Sequence, residues 1–193
     1  MQLTQTEIIL GLLVLLLVAA VIVLWMRSRR SAALKSRFGP EYARTVREVG
    51  SESKAETVLA QREKRVSKYT IKPLPAEMRD HFLDTWTKVQ AQFVDDPSYA
   101  VTRADDLLGE VMAARGYPVK DFDARAEDLS VDHPHVVQNY RSAHDIALRH
   151  ARGEASTEDL RKAMIHYRDL FEELTHDPAA DVRQPKAEEV HHG

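Results

Sequence analysis

The sequence predicts an all-α protein: an N-terminal transmembrane helix, a basic helical spacer, and a small soluble bundle of four to five helices. Three observations carry that prediction. Ile8–Met26 is an uncharged, almost wholly apolar run of 19 residues. From Pro75 to His176, apolar residues recur at helical spacing in one segment after another. That region contains no stretch with the period-2 alternation of a half-buried strand.

Composition narrows the classes further. The chain has 193 residues, 27 Lys+Arg, 30 Asp+Glu, 9 His and no Cys. The length suits one ordinary domain, or a small domain with attachments. Without Cys there are no disulfides, no Cys-ligated zinc or iron–sulfur cluster and no thiol catalysis. A net charge of −3 gives no overall pull toward nucleic acid. That average conceals a division. Residues 1–26 carry −1, and residues 27–73 carry +8, from 13 basic and 5 acidic side chains. Residues 74–176 carry −8, from 12 basic and 20 acidic side chains, and residues 177–193 carry −2. Asymmetry of this kind marks regions with different surroundings.

The apolar run explains the basic one. At about 1.5 Å per residue it makes roughly 28 Å of helix, close to the hydrocarbon thickness of a bilayer. Leu, Ile and Val fill every side of it, and Trp25 stands where an indole suits the headgroup level. A cleaved signal peptide needs a basic n-region and a shorter apolar core; residues 1–7 hold no Lys or Arg, and no A-x-A site precedes the arginines. The expected organisation is an extracytoplasmic 1–7, a transmembrane helix at 8–26, a basic juxtamembrane helical linker at 27–75, a bundle at 76–176 and a disordered tail at 177–193. Arg27, Arg29, Arg30, Lys35 and Arg37 follow the span with no acid among them, so the positive-inside rule places the C-terminal side in the cytoplasm. Those five cations also suit the anionic headgroups of the bilayer, as topology determinants or as a lipid-recognition site. Interleaved aromatics are missing, which argues against nucleic acid.

Within the linker, Gly39-Pro40 breaks the chain and opens a short helix at 40–49 with Phe38, Tyr42, Val46 and Val49 at helical spacing. Gly50 ends it. Ser53-Lys-Ala-Glu56 reads as a capping box for a second helix, to about Ser67. Two prolines make 69–75 extended and place the domain boundary there.

The bundle begins with Met78, Phe82, Trp86, Val89 and Phe93 on one face of a helix at 76–94. Asp96-Pro97 caps the next, striped by Val101, Ala104, Leu107, Leu108, Val111 and Met112 and stopped by Gly116 and Pro118. A short helix follows at 121–129, with Phe122 and Leu129. Asp132 is expected to cap a longer one to Arg152, striped by Val137, Tyr140, His144, Ala147 and Ala151. Ser156 opens the last helix with Asp159 in the reciprocal position; Leu160, Ala163, Met164, Tyr167, Leu170, Phe171 and Leu174 form its buried side.

Catalytic and cofactor signatures are absent from the sequence. It has no H-E-x-x-H, no phosphate-cradling glycine motif and no G-x-S-x-G. Glu173-x-x-His176 is half of a di-iron pattern with no second half. His144-Asp145 resembles the central dipeptide of the HD phosphohydrolases, all-helical metal enzymes. That resemblance implies a metal held by His144 and Asp145, with His133 or His135 before them and Asp169 after. The competing reading makes His144 a core residue with Asp145 facing solvent.

R-F-G-P-E-Y at 37–42, R-E-K-R at 62–65, L-S-V-D-H-P-H-V-V-Q-N-Y-R at 129–141 and T-E-D-L-R-K-A-M-I-H-Y-R-D-L-F-E-E-L at 157–174 follow the anchor. In this combination the chain resembles a family of uncharacterised bacterial single-pass membrane-anchored helical proteins with no established activity. The resemblance covers most of 1–176 and implies a bacterial inner (plasma) membrane. The function expected is therefore that of a non-enzymatic, membrane-anchored adaptor or scaffold without a cofactor. Its cytoplasmic domain would bind another protein through polar faces near Asp132, His133, His135, Tyr140 and Arg141. The alternative is a membrane-tethered metal-dependent phosphohydrolase of HD-like type using His144 and Asp145.

Overall fold

The computed structural model describes residues 5–118 and 121–176. The expected tail at 177–193 and most of the expected N-terminal segment at 1–7 lie outside them. The described residues form eight α-helices and no strand: α1 (Gln5–Phe38), α2 (Pro40–Val49), α3 (Glu52–Val66), α4 (Ala76–Gln92), α5 (Pro97–Arg115), α6 (Phe122–Asp132), α7 (Val137–Ala151) and α8 (Thr157–Thr175). The chain divides into two compact units, Met1–Gln61 and Arg62–Gly193.

In the first unit, α1 runs unbroken for 34 residues through the apolar run and the basic stretch. Every side chain described from Leu10 to Arg30 is exposed, so among the described residues this apolar surface has no protein partner. The character of the helix changes near its end, where Leu34 and Phe38 are buried. Gly39 then takes φ 47°, a left-handed value that glycine adopts without strain, and Pro40 starts α2. Tyr42 is buried with Phe38, and its hydroxyl donates to Glu56 Oε1 at 3.1 Å. That bond corrects the expected capping box. The helix α3 starts at Glu52, before Ser53, and Glu56 is engaged by Tyr42 instead of reaching back to the helix start.

The second unit starts earlier than the expected boundary. Arg65, in the last turn of α3, donates from Nε to Asp128 Oδ1 and from Nη2 to Glu127 Oε2, both at 2.8 Å. Arg62 Nη2 reaches Glu127 at 3.4 Å, and Tyr69 OH donates to Asp128 at 3.2 Å. The extended segment after α3 is tied down as well, with Lys72 N donating to Arg115 O at 2.8 Å. Arg62 and Arg65, the two arginines of R-E-K-R, are held by an acidic pair that lies some sixty residues further on, where spacing cannot reveal it.

The bundle is centred on α8, which packs against α5 and α7; α4 lies against α5 and α8, and α6 against α7. Phe82, Trp86 and Val89 of α4 meet the whole expected stripe of α5 and all seven expected residues of α8 in one core. Trp86 stacks on Phe171 with centroids 4.7 Å apart. Burying side chains of this size contributes roughly 1.5–3 kcal/mol each. Met78, at the start of the expected α4 stripe, is exposed.

Within the bundle, local caps follow the expectation at three ends and depart at one. Asp96 accepts from Tyr99 N, Ser156 and Asp159 form a reciprocal capping box, and Gly116 closes α5 at φ 99°. Asp132, however, is the last residue of α6 and accepts from Tyr117 OH at 3.2 Å; α7 begins only at Val137. The buried Tyr117 hydroxyl draws Asp132 away from the helix start that follows.

Candidate functional site

The residues expected to form a partner surface separate by burial. Asp132 and His135 are exposed. His133 is turned inward, with Nδ1 2.9 Å from Glu173 Oε1 and Nε2 buried without a partner. Arg141 is half-buried. Tyr140 is 0% exposed, which corrects its place on a contact surface. It belongs to the buried face of α7 with Val137 and Ala143, and its ring lies 4.7 Å from that of Phe122 and 6.1 Å from that of Tyr167.

Around Tyr140 the structure assembles a polar cluster that the sequence reading missed. Arg125 of α6 donates from Nη2 to Asp105 Oδ2 of α5 at 3.1 Å, with both side chains largely buried. The Arg125 guanidinium stands 5.8 Å from the Tyr140 ring centre. The buried hydroxyls of Tyr140 and Tyr167 lie near enough to Asp105 to feel its charge but outside hydrogen-bonding geometry. Burial first, and the negative charge of Asp105 second, push both phenols far above the ordinary tyrosine range, so they are neutral donors at any physiological pH. His144 adjoins the cluster, its ring parallel to Phe122 at 3.5 Å between centroids. Burial lowers its pKa, and Arg125 adds to that against the opposing pull of Asp105. One sequence signal does point here. Gly109 interrupts the α5 pattern, and a Cβ there would meet Arg125 Nη1 at 3.0 Å. Chemically, the cluster joins α5 and α6 through one ion pair, with a buried hydroxyl from each of α7 and α8 within reach of its charge.

The residues of the HD-type alternative do not converge. His144 faces Phe122, and Asp145 points to solvent beside Arg149 at 3.5 Å. His133 is engaged by Glu173, and Asp169 accepts from Asn139 Nδ2 at 2.7 Å. Among the described residues, no three His, Asp or Glu side chains come together as a ligand set. A nucleophile–base distance exists elsewhere, between Ser98 Oγ and His150 Nε2 at 2.6 Å. The buried Nδ1 of that histidine has no partner to orient it.

In the first unit, Arg27, Arg29, Arg30, Lys35 and Arg37 are all exposed on α1. Continuous helix spaces them over roughly 15 Å along one axis. The Arg29 guanidinium sits 4.2 Å over the Trp25 ring, and Lys35 Nζ is 3.7 Å from Glu52. This is one helix long and apolar enough to cross a membrane, continued by a cationic extension.

Compared with protein-family models, curated proteins and solved structures, the chain finds no match in any of the three.

Proposed function

We propose that this is a single-pass protein of the bacterial inner membrane, with its N-terminus outside and its helical bundle in the cytoplasm, where the bundle binds another protein as an adaptor or scaffold. The observation that carries the reading is α1. Its apolar surface is exposed on every side, and the helix runs on without a break into five exposed cations. In water such a surface is unstable; in a bilayer its burial is the driving force for anchoring. The arginines and lysine then stand at the headgroups of the anionic leaflet, each contributing about 1 kcal/mol. An apolar helix near the N-terminus also passes for a signal sequence, and the length of this run supports the anchor.

Alkaline carbonate extraction of membranes, with the intact mass of the extracted chain, tests the anchor. A chain that resists extraction and retains residues 1–26 supports it. A soluble product that has lost them overturns it. A C-terminal phosphatase fusion active outside the cytoplasm would reverse the orientation.

A further inference from the structure

We propose that the C-terminal half of α4 is the docking surface of the bundle, and that its occupant is an acidic, apolar-anchored segment of another protein. This rests on the reading of the bundle as a protein-binding module and names the face and the chemistry of the partner.

Apolar exposure gathers around this helix. Among the described residues, five large apolar side chains of the bundle are exposed: Met78 and Leu83 on the first half of α4, Val94 just past its end, Tyr99 in the first turn of α5, and Leu148 on α7. Val94 is 84% exposed, just past the end of α4. Two pockets flank the same two turns. One, of about 160 Å³, lies between α4 and α8, with Phe93, Met164 and Ile165 as its apolar wall and Arg161 and Arg168 at its edge. The other, of about 230 Å³, lies between α4 and α5, with Val89 and Tyr99 inside and Lys88 and Arg103 at its edge. A cavity of about 150 Å³ accommodates a benzene ring, so each pocket suits one Leu- or Phe-sized anchor and neither suits a lipid chain. Between them stands Ala91, exposed and small, over which an extended or helical segment can cross.

Charge selects the partner. Residues 74–176 carry −8 overall, yet four cations line the two pockets and no carboxylate lines either. Asp84 and Asp95 stand about two turns and one turn along the chain from Ala91, outside both linings. Arg161 is paired with Glu158 at 2.7 Å, Arg168 with Glu172 at 3.6 Å, and Arg103 with Asp106 at 3.3 Å. These are exposed pairs within one helix, of the kind that contributes little and exchanges readily for a partner's carboxylate. Apolar anchors in fitted pockets with a charged rim are the usual anatomy of a protein interface.

The test uses the full-length, membrane-anchored chain in cells, carrying the photo-crosslinker benzoylphenylalanine at Val94, at Tyr99, or at His135 on the far loop. The expected result is a discrete protein adduct from Val94 and Tyr99, with the crosslinked peptide of the partner rich in Asp and Glu around an apolar residue. Charge reversal of Arg161→Glu with Arg168→Glu should lower the adduct yield about tenfold, and Arg161→Gln with Arg168→Gln by less, at unchanged thermal stability. Adducts from Val94 made of this chain's own peptides, or lipid adducts alone, overturn the proposal. So does a yield indifferent to both pairs of substitutions. A protein adduct from His135 and none from Val94 or Tyr99 overturns this surface and leaves the adaptor reading standing. No protein adduct from any of the three positions overturns both.

Discussion

His144 lies flat against Phe122, with ring planes 7° apart, so the first turn of α6 is fastened to the middle of α7 by two stacked rings. The stack is half-buried, and burial favours the neutral imidazole. Burial disfavours the protonated ring, and Arg125 opposes it, against the attraction of Asp105, Asp123 and Asp145. The folded state therefore binds this proton less tightly than the unfolded chain, where histidine titrates near about 6.5. The sign follows from linkage. Stability is full above about pH 6.5, falls as the pH drops below it, and stops falling once the pH has passed the lowered folded-state value. Thermal unfolding of the detergent-solubilised chain between pH 5 and pH 7.5 should show this loss, and His144→Gln should flatten the profile. Equal slopes in both proteins would remove His144 as the cause.

Arg65 and Asp128 make an uneven pair. The carboxylate is 2% exposed and the arginine 37%, so the two truncations are not equivalent. Arg65→Ala removes a guanidinium at 2.8 Å from a buried carboxylate that keeps the Tyr69 hydroxyl as a partner, so only part of the several kcal/mol that an uncompensated buried charge costs is expected. Asp128→Asn leaves a guanidinium that can turn to Glu127 and to water. Arg65→Ala is expected to destabilise the bundle by about 2–3 kcal/mol and Asp128→Asn by about half that. Denaturant titrations of both variants decide it; a larger loss for Asp128→Asn would mean that Arg65 is not the principal counter-charge.

How far the sequence could be read follows the range of the forces. The Ser156–Asp159 box and the α8 stripe are contained within a few residues, and every expected position of that helix is where periodicity puts it. Asp132 failed as a cap because the competing partner, Tyr117, is fifteen residues away and its burial is a tertiary fact. The pairing of Arg62 and Arg65 with Glu127 lies beyond any spacing rule, and so does the meeting of Asp105 with Arg125. Tyr140 sat at a core position of its own stripe and also beside a polar loop. The stripe decided its place, because a large ring gains more from burial than its hydroxyl loses. The docking face on α4 was hidden for a related reason. Met78 and Phe93 belong to one helical stripe, and only the packing of α5 and α8 determines how much of that stripe is left uncovered.

Gly116 and Gly153 separate two costs that alanine substitution usually combines. Both have positive φ, 99° and 75°. A Cβ on Gly153 meets open space, whereas one on Gly116 would lie 2.4 Å from Thr70 O. Gly153→Ala should therefore cost only the backbone strain, about 1 kcal/mol. Gly116→Ala adds displacement of the 70–72 segment, which hydrogen-bonds Arg115 through Lys72, and should cost clearly more. Hydrogen exchange at the Lys72 amide gives a local readout. It should accelerate in Gly116→Ala and stay unchanged in Gly153→Ala.

An arginine placed at two depths of α1 tests the anchor by a difference rather than by a loss. Leu17 is at the middle of the apolar run, and Leu24 is beside Trp25 near its end. On a translocon-based scale, a central Leu→Arg change costs about 3–4 kcal/mol of insertion, whereas an arginine near the end reaches the headgroups along its own stem. Leu17→Arg should reduce the carbonate-resistant fraction sharply, and Leu24→Arg should leave it close to that of the unaltered chain. If α1 instead packed against protein, depth along the helix would not order the two effects. Equal behaviour of the variants would remove the bilayer as the environment of this helix, and with it the reason for the five cations that follow.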